Sequence, residues 1–74
     1  MKKISIDKSI FELTDQYPEL IEILYERGFL GVKNPVMRNT LGRITTLRQG
    51  IKKQGKNLEE LIRILKEKGF EVEI

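Results

Sequence analysis

The side chains best suited to chemistry lie between Arg27 and Lys56, where eight basic residues (Arg27, Lys33, Arg38, Arg43, Arg48, Lys52, Lys53 and Lys56) occur without one acid. Arg48 and Lys52 are four apart and share a face of any helix that carries them. Arg43 precedes a helix start at Thr45-Thr46, with Thr45 as the expected N-cap. A helix N-terminus presents free amides and a partial positive charge. Arg38, Arg43, Thr45, Thr46, Arg48 and Lys52 therefore form a candidate anion- or partner-binding set, and the plainer reading is that the threonines cap while the cations pair with acids elsewhere or face solvent. Beside them, Leu30, Val32 and Met37, with Val36, give the segment after Phe29 more apolar residues than a solvated loop needs. They form a candidate apolar interface for a partner helix or for self-association, or else they cover the base of the core.

Catalysis finds little to work with. The 74 residues include no histidine and no cysteine, which removes the usual general base, the usual transition-metal ligands and all thiol chemistry. The hydroxyls of Ser5, Ser9, Thr14, Thr40, Thr45 and Thr46 have no histidine to activate them. Glu19, Glu22 and Glu26 make a carboxylate ladder on one helix face, with Glu12 and Asp15 on the helix before. A hard cation or a basic partner would suit such a ladder, and a solvated helix face explains it more simply. No catalytic residue, metal ligand or cofactor is expected. The few aromatics, Phe11, Tyr17, Tyr25, Phe29 and Phe70, fall where a core wants them, so no base-stacking platform for nucleic acid is evident.

The elements that must position these residues are organised by a repeat. Glu19 to Phe29 reads Glu-Leu-Ile-Glu-Ile-Leu-Tyr-Glu-Arg-Gly-Phe, and Glu60 to Phe70 reads Glu-Leu-Ile-Arg-Ile-Leu-Lys-Glu-Lys-Gly-Phe. Each copy is an amphipathic helix stopped by a glycine, with a phenylalanine placed to fold back on the last turn. At an offset of 41 residues Ile10 falls opposite Ile51, which puts a short helix before each long one. The expected fold is all-α, a compact array of about five short helices in one domain over residues 1–74, with two helical hairpins joined by a bridging helix. Ser9 and Glu12 start the first helix as a capping box, with Ile10, Leu13 and Tyr17 inward. Tyr17 is the elbow before Pro18, which opens a helix running to about Arg27. Asn34-Pro35 opens the bridge, with Val36, Met37, Leu41 and Ile44 inward. Leu47 and Ile51 are the buried positions of the fourth helix, which Gly55 closes, and Asn57 caps a fifth that turns Leu58, Leu61, Ile62 and Leu65 to the core. Ile4-Ser5-Ile6 and Phe70 to Ile74 alternate as short strands do, so the termini either pair or lie as extended tails on the helices.

Charge is divided along the chain. Residues 1–26 carry three lysines against six acids, residues 57–74 carry three basic residues against five acids, and the net charge is +3. Acidic flanks around a basic centre bear on partners more than on fold. The N-terminal residues are charged too soon for a signal-peptide core, and no apolar run is long enough to span a membrane, so a cytoplasmic protein is expected.

The runs Ile6 to Leu13, Tyr17-Pro18-Glu19-Leu20 through Leu24, Gly28-Phe29 and Thr45-Thr46-Leu47 resemble the small helical domain known as domain of unknown function 1858, over nearly the whole chain. The resemblance implies a compact helical array, found as a short free-standing protein and as an N-terminal module of larger ones, including relatives of iron–sulfur-repair and hybrid-cluster-associated proteins. Many members of that wider group place cysteines just after Gly-Phe; here Leu30, Gly31 and Val32 stand there, so the resemblance brings no thiol or cluster role and no catalytic residue. The resulting expectation is a non-enzymatic binding or regulatory module acting through its basic and apolar centre. The alternative is an anion- or nucleic-acid-binding protein. A protein partner and a monomeric or weakly dimeric state go with the first.

Overall fold

Short polar residues ahead of apolar runs set where the helices begin. Ser9 Oγ accepts from the amide of Glu12 at 3.1 Å, Asn34 Oδ1 from Val36 at 2.9 Å, Thr46 Oγ1 from Gln49 at 3.1 Å, and Asn57 Oδ1 from Glu59 at 2.8 Å. The computed structural model describes residues 2–73. Within them the order is β1 (Lys2–Ser5), α1 (Ile10–Gln16), α2 (Leu20–Glu26), a 3-10 turn (Leu30–Lys33), α3 (Pro35–Asn39), α4 (Leu41–Ile44), α5 (Leu47–Lys53), α6 (Leu58–Glu67) and β2 (Phe70–Glu73). The fold is mostly α-helical, as the sequence leads one to expect. The strand residue expected at Ile74 lies outside the described residues.

Three boundaries differ from the sequence reading. Thr46, not Thr45, caps α5: its hydroxyl accepts from Gln49, whose side chain in turn accepts from the Thr46 amide at 3.0 Å, completing a capping box. Thr45 instead lends its backbone carbonyl to Ile10. The helix expected to open at Pro18 becomes regular at Leu20, after an entry turn in which Leu20 and Ile21 donate to the carbonyls of Tyr17 and Pro18. The bridge is two short helices, because Thr40 (φ −109°, ψ −84°) interrupts it and spends its hydroxyl on the Val36 carbonyl at 2.8 Å.

The repeat holds at the helix ends. Gly28 has φ 100° and Gly69 φ 94°, the left-handed conformation that a side chain disfavours. At the first, Phe29 donates to the Leu24 carbonyl and Gly28 to that of Tyr25, the paired bonds of a Schellman stop. Both phenylalanines are buried. The offset of 41 residues fits only the long helices. The first helices pair Ser9 with Thr46 and Ile10 with Leu47, an offset of 37, so the expected match of Ile10 to Ile51 is corrected. The difference arises because α6 begins earlier than its counterpart and its connection to α5 is longer.

Ile4, Ile6, Ile10, Leu13, Leu20, Leu24, Phe29, Val32, Leu47, Ile51, Leu61, Leu65 and Phe70 form one core. Leu58 packs on it, and Ile62 is only half-buried. The bridge residues expected inward are not in it: Val36 is 67% exposed, Met37 38%, Leu41 52% and Ile44 74%. The two hairpins already fill the space those side chains would take. β1 and β2 pair in parallel, Lys2 opposite Phe70 and Ile4 opposite Val72, tying the ends together. Tyr17 meets Phe70 edge-to-face at 5.4 Å.

Thr46→Ala removes a cap whose loss costs about 0.5–2 kcal/mol. The same change at Thr45, whose hydroxyl caps nothing, costs less than half as much, as urea denaturation of the two variants will measure.

Candidate functional site

The start of α5 is occupied by the protein itself. Segments 6–9 and 45–48 cross in antiparallel fashion, with Ser9 bridged to Thr46. Ile10 donates to the Thr45 carbonyl at 2.9 Å, Leu47 to that of Lys8 at 3.3 Å and Arg48 to that of Ile6 at 2.9 Å. With Gln49 bonded to the Thr46 hydroxyl, the three first-turn amides of α5 (Leu47, Arg48 and Gln49) all have partners. The amides that make a helix start attractive to an anion are therefore already in use.

The basic side chains expected to converge there are dispersed. Arg48 Nε lies 2.8 Å from Asp7 Oδ1, and its Nη2 reaches the other carboxylate oxygen at 3.4 Å. Arg43 stacks its guanidinium 4.0 Å from the centre of the Phe11 ring and reaches Asn39. Arg38 Nη1 donates to the Val32 carbonyl. Lys52 is exposed and makes no ion pair among the described residues. The hydrogen bond and charge of Arg48 hold the Asp7 carboxyl below its ordinary pKa, outweighing the opposing effect of desolvation, and Lys2 does the same for Glu19. The carboxylate ladder is also divided, Glu19 pairing with Lys2 and Glu22 with Lys33. Among the described residues no group of three or more carboxylates comes together that could hold a metal.

What the structure does assemble is a groove of about 250 Å3 between the 3-10 turn, the α3–α4 bridge and α5. Leu30, Met37 and Leu41 form its walls, with Arg38 and Lys53 among its lining and no acidic residue in it. Of the expected interface residues, Leu30 (70% exposed) and Met37 lie at the surface. Val32 is 5% exposed and belongs to the core, correcting its place in an accessible interface: it serves as floor. Arg38 and Thr45 join the lining, whereas Arg43, Thr46, Arg48 and Lys52 do not.

The sequence reading missed three glycines in that lining, Gly31, Gly42 and Gly50, along with Leu41 and Lys53. At Gly50 the close approach is strict, since a Cβ there would lie 2.7 Å from the Phe29 ring. A glycine in mid-helix was the signal for it, because that position otherwise weakens the helix. A second hollow of about 280 Å3, lined by Glu26, Arg27, Lys56 and Glu60 among others, mixes both charges, and Arg27 pairs with Glu60 across it at 3.4 Å.

A family model described as Domain of unknown function (DUF1858) matches residues 4–62. The chain belongs to that family. The DUF1858 match takes in both strands of the Ser9–Thr46 crossing and every residue that lines the groove. The crystal structure of the conserved domain protein from Streptococcus pneumoniae TIGR4 is similar, 40% identical over 99% of this chain and 92% of that one, with a TM-score of 0.94. No curated protein matches the chain.

Asp7 yields a pH prediction. Its folded pKa is depressed, so its contribution to stability is present at neutral pH and is lost as pH falls through the folded value. A carboxyl-detected NMR titration will find Asp7 below the ordinary aspartate range in the native protein and back within it in Arg48→Ala.

Proposed function

We propose that this domain is a non-enzymatic protein-interaction module that docks its partner on the groove face of the α3–α4 bridge. The observation that carries the reading is where the exposed apolar side chains fall. Six large hydrophobics are exposed among the described residues, and five of them, Leu30, Val36, Met37, Leu41 and Ile44, lie within fifteen residues of bridge and turn. Exposed apolar residues scattered singly need no explanation; a cluster of which Leu30, Met37 and Leu41 line one groove does. Methionine, flexible and polarisable, suits a surface that adapts to a partner. The module works in the cytoplasm as a monomer or weak homodimer, without a cofactor. No helix among the described residues is long and apolar enough to cross a membrane.

The alternative is binding of an anion or nucleic acid through Arg38, Arg43, Arg48 and Lys52. It has less support, because the α5 amides and the Arg48 guanidinium already have partners, while Arg38 and Arg43 turn to the Val32 carbonyl and the Phe11 ring. Phosphate-driven binding also weakens steeply with salt, whereas an apolar interface responds to charge placed within it.

Two measurements test the proposal together. Leu41→Ser and Ile44→Ser each change folding stability by less than about 1 kcal/mol, since these side chains contribute little to the core. Leu24→Ala, fully buried, costs about 2–5 kcal/mol in the same denaturation assay. In affinity capture from extracts of the source cells, Leu41→Glu loses the partner that the native domain retains, while Glu67→Lys on α6 keeps it. Capture that survives Leu41→Glu but disappears with Arg43→Ala and Lys52→Ala would replace the apolar face with the basic one.

A further inference from the structure

We infer that the occupant of the groove is an acidic amphipathic helix of a partner protein, a statement that rests on the docking reading above and names its chemistry. The shape of the site argues for a helix. Leu30, Met37 and Leu41 wall an apolar groove that runs between the bridge and α5. Apolar grooves of this kind receive the apolar face of an amphipathic helix. Gly31, exposed in the lining beside Met37, keeps that wall low, so an incoming helix can approach the backbone there.

Charge complementarity argues for acid. Arg38 and Lys53 contribute to the lining, Lys52 and Arg43 lie next to lining residues in the chain, and no carboxylate enters the site. Neither Lys52 nor Lys53 makes an ion pair among the described residues. A helix with leucine-type residues on one face and glutamates flanking them would bury its apolar stripe between Leu30, Met37 and Leu41 and set its carboxylates against Arg38 and Lys53. A second copy of this chain is a poor occupant. The acidic helices α2 and α6 turn their apolar faces into their own core, and a symmetric groove-on-groove contact would set Arg38 and Lys53 against their equivalents.

The test is fluorescence anisotropy with three labelled synthetic helical peptides, paired with amide chemical-shift mapping on the isotope-labelled full chain. The first peptide has leucines at i, i+3, i+4 and i+7 and glutamates elsewhere, the second replaces each glutamate with lysine, and the third keeps the glutamates but replaces each leucine with serine. The first binds at least about tenfold more tightly than either control and shifts the amides of Leu30, Gly31, Leu41, Gly42 and Gly50. Gly31→Leu, which fills the groove from an exposed position, and Lys53→Glu, which reverses its charge, each weaken that binding by about tenfold while circular dichroism stays native. Equal binding of the lysine peptide at the same amides would discard the acidic partner and keep the groove as a docking face. Absence of groove shifts with every peptide would discard the helix, and capture dependent on Leu41 would then decide whether the docking reading itself survives. Shifts confined to the Asp7–Arg48 region would overturn the inference in favour of a different surface.

Discussion

The structure depends on the point where two helix starts cross. The first turn of a helix has amides with no partner inside the helix, and a small domain cannot bury them unmet. Here each first helix is completed by the other's leading segment: Ile10 uses the Thr45 carbonyl, while Leu47 and Arg48 use those of Lys8 and Ile6. An antiparallel bridge between Ser9 and Thr46 is the pairing that an approximate two-fold axis produces, and the axis relates two caps of the same type. Once the crossing is made, α2 and α6 can lay their apolar faces on a shared core. The same bonds take up the amides that would otherwise make the start of α5 a seat for an anion.

Much of this was legible in the sequence because it is written in short-range signals. The Glu-Leu-Ile repeat, the Gly-Phe stops, Asn34-Pro35 and Asn57 are each decided within a few residues and found in their expected roles, and Ser9 caps α1, although the Glu12 carboxylate meets its hydroxyl rather than closing a capping box on its amide. The misreadings of Thr45, Val32 and the repeat offset depended on what lay opposite in space. Thr45 and Thr46 are equally good caps by type, and the choice between them is made by Ile10, which needs the Thr45 carbonyl. Val32 is apolar in a loop either way, and only the arrival of Arg38 over its carbonyl and the packing of the core around it distinguish floor from surface. The offset of 41 residues was right for the helices from which it was read and wrong for the crossing.

The candidate site was legible as a region and not as a set. The acid-free stretch from Arg27 to Lys56 does contain the groove's cations, but of the residues chosen for spacing Arg43 stacks on Phe11, Arg48 pairs with Asp7, and Lys52 lies outside the lining. The pair that lines the groove, Arg38 and Lys53, is fifteen residues apart on separate helices, and no helical periodicity can join them. The glycines in the lining carry no chemistry of their own, which is why a search for reactive types passes over them.

The bridge shows why a near-symmetric core yields an asymmetric surface. Two hairpins with similar apolar faces fill one interior, and the segment that joins them must pass over the outside. Its apolar side chains then have nowhere to go inward: Val36, Leu41 and Ile44 are each more than half exposed. Folding alone would be served as well by polar residues at those three positions, since burial is what makes apolar character stabilising. The two phenylalanines mark the same break in symmetry. Phe70 continues into β2 against Tyr17, whereas Phe29 turns under Gly50 and becomes the base of the groove. One half of the repeat thus closes the chain on itself, and the other half supports a face whose apolar residues the fold does not require.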